Sequence, residues 1–284
     1  MNPVIRFAER NCLCYFRDRA SVVFSLMAAF IVLLLYLLFL RDNLISGYPG
    51  MPGMDGLIDV WVISGLLGIV SVTTCAGALQ TMVTDRVESR DDDVLVTPMS
   101  PYKVAAGYVL STFTVGMVMS LVVLALSLVY LAATGCPLSL AGILVSVILL
   151  IPSALSGSVI MFAVTSFIRS HGAFSGFFTV VSVMIGFLTG IYMPMGTMPQ
   201  AMQVVSTLMP ASHMASLFRG FMADTALNDV FSGIPSSELA DFRTKMGFDL
   251  SLGGFGFDAV SSLLYVTVVT VVFFLIAVYS VKRR

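Results

Sequence analysis

Charge is scarce in this sequence. Asp, Glu, Lys and Arg supply 11% of its 284 residues, whereas a soluble domain carries roughly 25%, and that shortfall excludes a water-soluble fold. With 15 Lys plus Arg against 16 Asp plus Glu, there is no dense basic face for a nucleic-acid partner. Histidine is limited to His171 and His213, far apart and away from any cluster of acids. The four cysteines, Cys12, Cys14, Cys75 and Cys136, have neither the paired spacing of a zinc site nor that of a secreted disulfide framework. A G-x-x-x-x-G-K-[ST] phosphate loop is missing, so the chain does not by itself bind and hydrolyse ATP in the usual way. Ala154-Leu155-Ser156-Gly157 lacks the first glycine of an intramembrane serine protease motif, and Ser156 reads as a small residue at a helix contact. No catalytic, cofactor or metal site is therefore expected here. The first twenty residues show no short apolar core followed by a small-residue cleavage site, so the first span is expected to act as its own insertion signal. No internal repeat or low-complexity tract is visible.

Hydrophobic residues make up 58% of the chain. A hydrocarbon core about 30 Å thick needs about 20 helical residues, and six uncharged apolar runs meet that length, at 21–40, 60–83, 104–132, 140–168, 174–193 and 259–281. The chain is thus expected to be an all-α polytopic membrane protein. With the amino terminus inside, Arg6, Arg10, Arg17, Arg19, Arg86, Arg90, Lys103, Arg169, Lys282, Arg283 and Arg284 are cytoplasmic, and Arg41, Arg219, Arg243 and Lys245 lie outside. That asymmetry follows the positive-inside rule and predicts a multi-pass cell-membrane protein with both termini in the cytoplasm. No span carries an Asp, Glu, Lys or Arg, which leaves no proton relay of the kind proton-coupled transporters use.

The connecting segments divide by character. In residues 1–20, Val4, Phe7, Cys14 and Tyr15 share helical spacing, as in an interfacial helix on the inner leaflet. The inner loop 84–103 alternates acids and bases, then turns apolar at Val94-Leu95-Val96 before Pro98; a short amphipathic helix stopped by proline would read this way, as would a solvated loop. The outer segment 194–258 opens with Pro194, Pro199 and Pro210, which break it into two short apolar helices able to dip into the outer leaflet but not to cross it. Irregular backbone at that depth belongs over a cavity or an interface. Gly172-x-x-x-Gly176 and Gly186-x-x-x-Gly190 in span five permit close helix approach, within the chain or at a dimer seam. Pro152 is placed to kink span four, and Trp61, Tyr192 and Tyr36 stand where interfacial aromatics are expected.

Three stretches of the outer segment, Gly190-Ile191-Tyr192-Met193-Pro194, Met198-Pro199-Gln200-Ala201-Met202-Gln203 and Leu208-Met209-Pro210-Ala211-Ser212-His213, close on Leu217-Phe218-Arg219. Together they resemble the signature of type-2 ATP-binding cassette (ABC) exporter permeases, which carry drugs, lipids and polysaccharides. The inner stretch Leu95-Val96-Thr97-Pro98-Met99-Ser100 is similar to that family's coupling helix. One departure is that Ser89-Arg90-Asp91-Asp92 stands where the family shows Gly-Thr-x-Glu, which implies an unusual charge at the partner contact. The resemblance covers essentially the whole chain and implies one permease domain over 1–284. That domain has an interfacial helix at 1–20, a coupling loop at 84–103, six spans and an extracytoplasmic segment at 194–258 with a re-entrant hairpin before the last span.

The resemblance also implies partners and roles. An ATP-binding subunit, holding ATP and Mg, would dock near Asp92, Asp93, Leu95 and Pro98. A second permease copy or a paralogue would complete the transporter within the membrane lipids, with its seam near spans one and five. Pro194, Pro199, Pro210 and Arg219 would form the re-entrant motif. The substrate is expected to be amphipathic, drug-like, lipid-like or a glycan, because the faces of spans one, two and five are neutral. The competing expectation is an ATP-independent channel or facilitator.

Overall fold

The computed structural model describes residues 2–90 and 99–282. Six of its helices are long and apolar enough to cross a membrane: α2 (Arg19–Ser46), α3 (Met54–Val87), α4 (Pro101–Ala133), α5 (Leu140–Thr165), α6 (His171–Leu188) and α11 (Ala259–Lys282). Ahead of them lies α1 (Pro3–Arg17), which starts at Pro3 with the Asn2 side chain accepting the Val4 amide at 3.0 Å, the expected chemistry of a helix start. Between α6 and α11 come α7 (Gln200–Thr207), α8 (Pro210–Met222), α9 (Asp224–Val230) and α10 (Ser236–Met246). A hairpin of β1 (Leu250–Leu252) and β2 (Phe255–Phe257) follows, with Leu250 opposite Phe257.

The hairpin adds a small sheet to the all-helical expectation. Gly253 and Gly254 both adopt positive φ, 57° and 86°, the pair of left-handed residues that a two-residue hairpin loop requires.

α3 is the centre of the molecule. Its apolar window is 83% buried, against 12% for α2, 22% for α6 and 17% for α11, so three of the spans lie at the periphery. Small residues set how closely neighbours approach it. A Cβ on Gly68 would lie 3.0 Å from the Ala215 Cβ of α8, and one on Gly157 of α5 would lie 3.1 Å from the Ser71 carbonyl oxygen. Ser71 and Ser153 also share a hydrogen bond at 2.7 Å across α3 and α5. Inside a bilayer, where burial of apolar groups does not itself drive helices together, such packing and hydrogen bonding supply the attraction.

The helices outrun the uncharged runs of the sequence. α3 continues at both ends through Asp55, Asp59, Asp85 and Arg86, and its two inner carboxylates are buried because arginines on other helices reach them. α6 stops at Leu188 rather than near 193, since Gly190 reverses the chain at φ 73° and Tyr192 folds back onto Gly186. Trp61 and Tyr36, placed where interfacial aromatics are expected, are buried within the protein. The Trp61 Nε1 donates to the Met246 carbonyl at 2.6 Å and the Tyr36 hydroxyl to Asp59 at 2.7 Å, so their polar atoms are satisfied by protein.

Gly157→Val tests the α3–α5 contact. The forced overpacking should cost about 1–3 kcal/mol, measured as a lowered melting temperature of the detergent-purified chain.

Candidate functional site

The base of the molecule is where α1, the far end of α3 and the ends of α5 and α11 meet. Asp85, with 6% of its side chain exposed, receives both ends of the Arg10 guanidinium. The Nη2–Oδ1 distance is 2.9 Å, and Arg10 Nη1 also donates to Asn11 Oδ1 at 3.0 Å. The hydrogen bonds to Asp85 hold Arg10 above its ordinary pKa against the opposing pull of burial. The next residue, Arg86, donates to the Ile168 carbonyl and to that of Ser166 at 3.4 Å, where the C-terminal dipole of α5 favours a cation. Ser166 in turn donates to Ser280 Oγ of α11 at 2.8 Å. Neighbouring side chains at the end of α3 thus fasten it to two different partners. The charged loop begins immediately afterwards, and Asp92, Asp93, Leu95 and Pro98 fall in residues 91–98, outside the described residues.

A trough rises from this base between α2, α3 and α6. Its upper part is a cavity of about 270 Å³ faced by Phe24, Thr73, Gln80, Phe178 and Ser182, among others. At one edge the Tyr15 hydroxyl pairs with Ser25 Oγ at 2.7 Å. Its lower part, about 220 Å³, shares Tyr15, Ser21, Gly77 and Gln80 with the upper cavity and adds Arg10, Asp18, Asp85 and Arg90. The trough therefore passes from a charged mouth to a neutral chamber of rings and hydroxyls. Ser182 Oγ is buried without a hydrogen-bond partner among the described residues. Surfaces of this composition bind molecules having both apolar and polar parts. Among the described residues, no group of His, Cys, Asp and Glu could hold a metal ion.

The opposite end of α6 carries a cap built from the proline-rich segment. Pro194 leads into a short turn at Met195–Thr197, Pro199 precedes α7, and Pro210 is the first residue of α8. α8 runs antiparallel to the first half of α3, with Ala215 against Gly68 and Arg219 against Gly65. The last carbonyls of α6 are taken up here. Leu188 accepts from Ser206 and, at 3.0 Å, from Ser212, while Thr189 accepts from Arg219 Nη2 at 3.0 Å. Arg219 also reaches the Gly247 carbonyl at 3.3 Å and stacks on Trp61 with 4.8 Å from Cζ to the ring centroid. Its charge faces a helix C-terminus and an aromatic face, both of which attract a cation. His213 lies between the Thr207 carbonyl at 2.8 Å and Ser262 Oγ at 3.2 Å, and burial lowers its pKa.

The remaining residues singled out in the sequence separate by location. Gly172 and Gly176 lie on an open face of α6 with no atom within 4 Å of a built Cβ. Gly186 and Gly190 are filled from within the chain, by Tyr192 and Met195. Sequence reasoning did not find the Arg10–Asp85 pair, whose members are 75 positions apart. Its sequence signal is no more than a base in the segment ahead of span one and an acid just past span two.

A family model described as ABC-2 type transporter matches residues 4–223, which takes in α1 to α8 and so the base, the trough and the proline-rich cap. No curated protein matches the chain.

Arg10→Gln strands the buried Asp85 carboxylate and should destabilise the chain by about 2 kcal/mol. Adding Asp85→Asn should restore most of that in a thermal-melt double-mutant cycle. Burial holds the folded-state pKa of His213 below its unfolded value of ~6.5, so its stabilising contribution is present above that value and falls away as pH drops below it. Melting temperature should drop more steeply between about pH 6.5 and pH 5 in the wild type than in His213→Gln.

Proposed function

Because the chain belongs to the ABC-2 type transporter family and is an integral multi-pass permease subunit, we propose that it exports an amphipathic substrate, drug-like, lipid-like or glycan, using ATP hydrolysed by a separate subunit. The observation that carries this reading is the trough: neutral and aromatic inside, charged at its mouth, and open where the loop that would receive the ATPase leaves α3. Asp92, Asp93, Leu95 and Pro98 form the docking stretch, and α1 lies on the inner leaflet as a second contact for the ATPase. Both termini are cytoplasmic, and the 194–258 segment is extracytoplasmic.

In this reading, closure of the ATPase pushes the 84–103 loop. The Arg10–Asp85 pair passes that displacement to α1, and Arg86 passes it to the link between α5 and α6. Two walls of the trough, α2 and α6, then move relative to α3. The proline-rich hairpin, with Pro194, Pro199, Pro210 and Arg219, is a re-entrant cap on the outer side. The exposed Gly172 and Gly176 support a seam with a second copy or a paralogue, since they are unoccupied within the chain, whereas Gly186 and Gly190 serve packing inside it.

Purification from the native membrane in mild detergent, with mass spectrometry and an ATPase assay, tests the proposal. An ATP-binding subunit should co-purify, and Asp92→Lys with Asp93→Lys should lower its recovery several-fold, as charge reversal at an interface rim does. Ser182→Trp should abolish substrate stimulation of the ATPase while leaving the complex intact. Solute movement by the chain alone in liposomes without ATP would establish a facilitator instead.

A further inference from the structure

A second groove lies on a different side of α2 from the trough. It has a volume of about 220 Å³, with Leu66 of α3 as its floor, Ala29 and Leu33 of α2 on one wall, and Val123 and Ser127 of α4 on the other. Phe30 and Leu126 stand at its open side, 52% and 45% exposed, so it opens toward the surroundings of the helices rather than into the trough. From Leu26 to Leu33 it runs about 10 Å along α2 at 1.5 Å per residue.

All three helices change character at the same end of this groove. On α4 the turn after Ser127 brings Tyr130, on α3 the residue two turns before Leu66 is Asp59, and on α2 the residue two turns beyond Leu33 is Arg41. The π-helical turn at Tyr36–Leu40 inserts an extra residue between groove and arginine, a distortion that often accompanies functional sites. Arg41 Nε donates to Asp59 Oδ1 at 2.9 Å, and Tyr36 donates to the same oxygen at 2.7 Å, so the buried Asp59 is fully engaged. Arg41 Nη2 is also 3.8 Å from Asp55 Oδ2, and the Arg41 and Asp55 side chains are 27% and 63% exposed. Beyond the groove's end at Leu33, Leu66 and Tyr130, two or more turns further along α2 and α3, a cation and an anion therefore stand side by side, both reachable from outside.

We infer that this groove binds a membrane phospholipid with a zwitterionic headgroup. One acyl chain lies along Leu33, Leu66 and Val123, the phosphate faces Arg41, and the ammonium faces Asp55. An anionic headgroup would meet Asp55 with like charge, and a wholly apolar ligand would leave the polar end unused. The inference rests on the chain's residence in a bilayer and not on the transport reading, so either can fail without the other.

The test is native mass spectrometry of the full chain titrated with phosphatidylethanolamine, phosphatidylglycerol and a sterol, beside its melting temperature. The wild type should retain one phosphatidylethanolamine per chain and prefer it over phosphatidylglycerol by about fivefold, the effect of roughly one charge at a membrane surface. Ser127→Phe, which fills the slot, should remove retention of both lipids, and Leu126→Trp at the open side serves if that variant does not fold. Asp55→Lys, at an exposed position, should reverse the headgroup preference with the melting temperature unchanged. Equal retention of both phospholipids by the wild type, retention untouched by the filling variants, or displacement of phospholipid by the sterol would overturn the proposal. So would disulfide formation between Leu126→Cys copies, which would make the groove a contact with a second chain.

Discussion

The separation between α3 and its neighbours is set by glycines, and the remaining architecture depends on that separation. At Gly68 and Gly157 the backbones come close enough for Ala215 and Ser71 to fill the space a side chain would need. At Gly65 the missing Cβ makes room for the Arg219 guanidinium, 2.8 Å from where that carbon would stand. Helices in a bilayer cannot rely on water exclusion to hold them together, so contact distance itself becomes the stabilising quantity. A side chain at Gly68 or Gly157 would push α8 or α5 away from α3, and one at Gly65 would displace the Arg219 guanidinium.

The two ends of α3 follow a common rule. Each carries a buried carboxylate, Asp59 or Asp85, and each is neutralised by an arginine from a helix earlier in the chain, Arg41 or Arg10. A buried carboxylate left unpaired would be strongly destabilising, so both contacts hold α2 and α1 in register with α3. Arg219 differs, having only carbonyls and an indole face around it among the described residues. It gathers the ends of α6 and α10 around α3, which makes the proline-rich segment part of the helix core at this end of the molecule.

The six spans were legible because an uncharged apolar run of about 20 residues suits the interior of a bilayer and little else. The same criterion misplaced their ends. It ended span two inside its flanking acids, whereas α3 continues past Asp59 and Asp85, whose cost is met by partners remote in sequence. It also carried span five past Leu188, because Gly190 and Tyr192 look as apolar as a helix interior until the chain turns. Trp61 and Tyr36 look interfacial by residue type, which says nothing of the Met246 carbonyl and Asp59 carboxylate that receive their polar atoms. The β1–β2 hairpin had a local signal in Gly253-Gly254 between alternating apolar residues. The trough lies between spans one, two and five, whose neutral faces already pointed to an amphipathic substrate, but the individual residues that line it carry no local signal because their neighbours face elsewhere.

The junction of α1 and α2 is a single residue. Asp18 ends α1 and, through its carboxylate, accepts the Ala20 and Ser21 amides that open α2, at 3.1 and 3.3 Å. With one residue between them, little chain is available to absorb a change in the angle between the two helices. α1 has 15 residues, which makes it an arm of about 22 Å, so a tilt of α2 by about 10° sweeps the free end of α1 through about 4 Å. A small rotation beside the trough is thereby converted into a displacement at the base as large as the reach of a side chain.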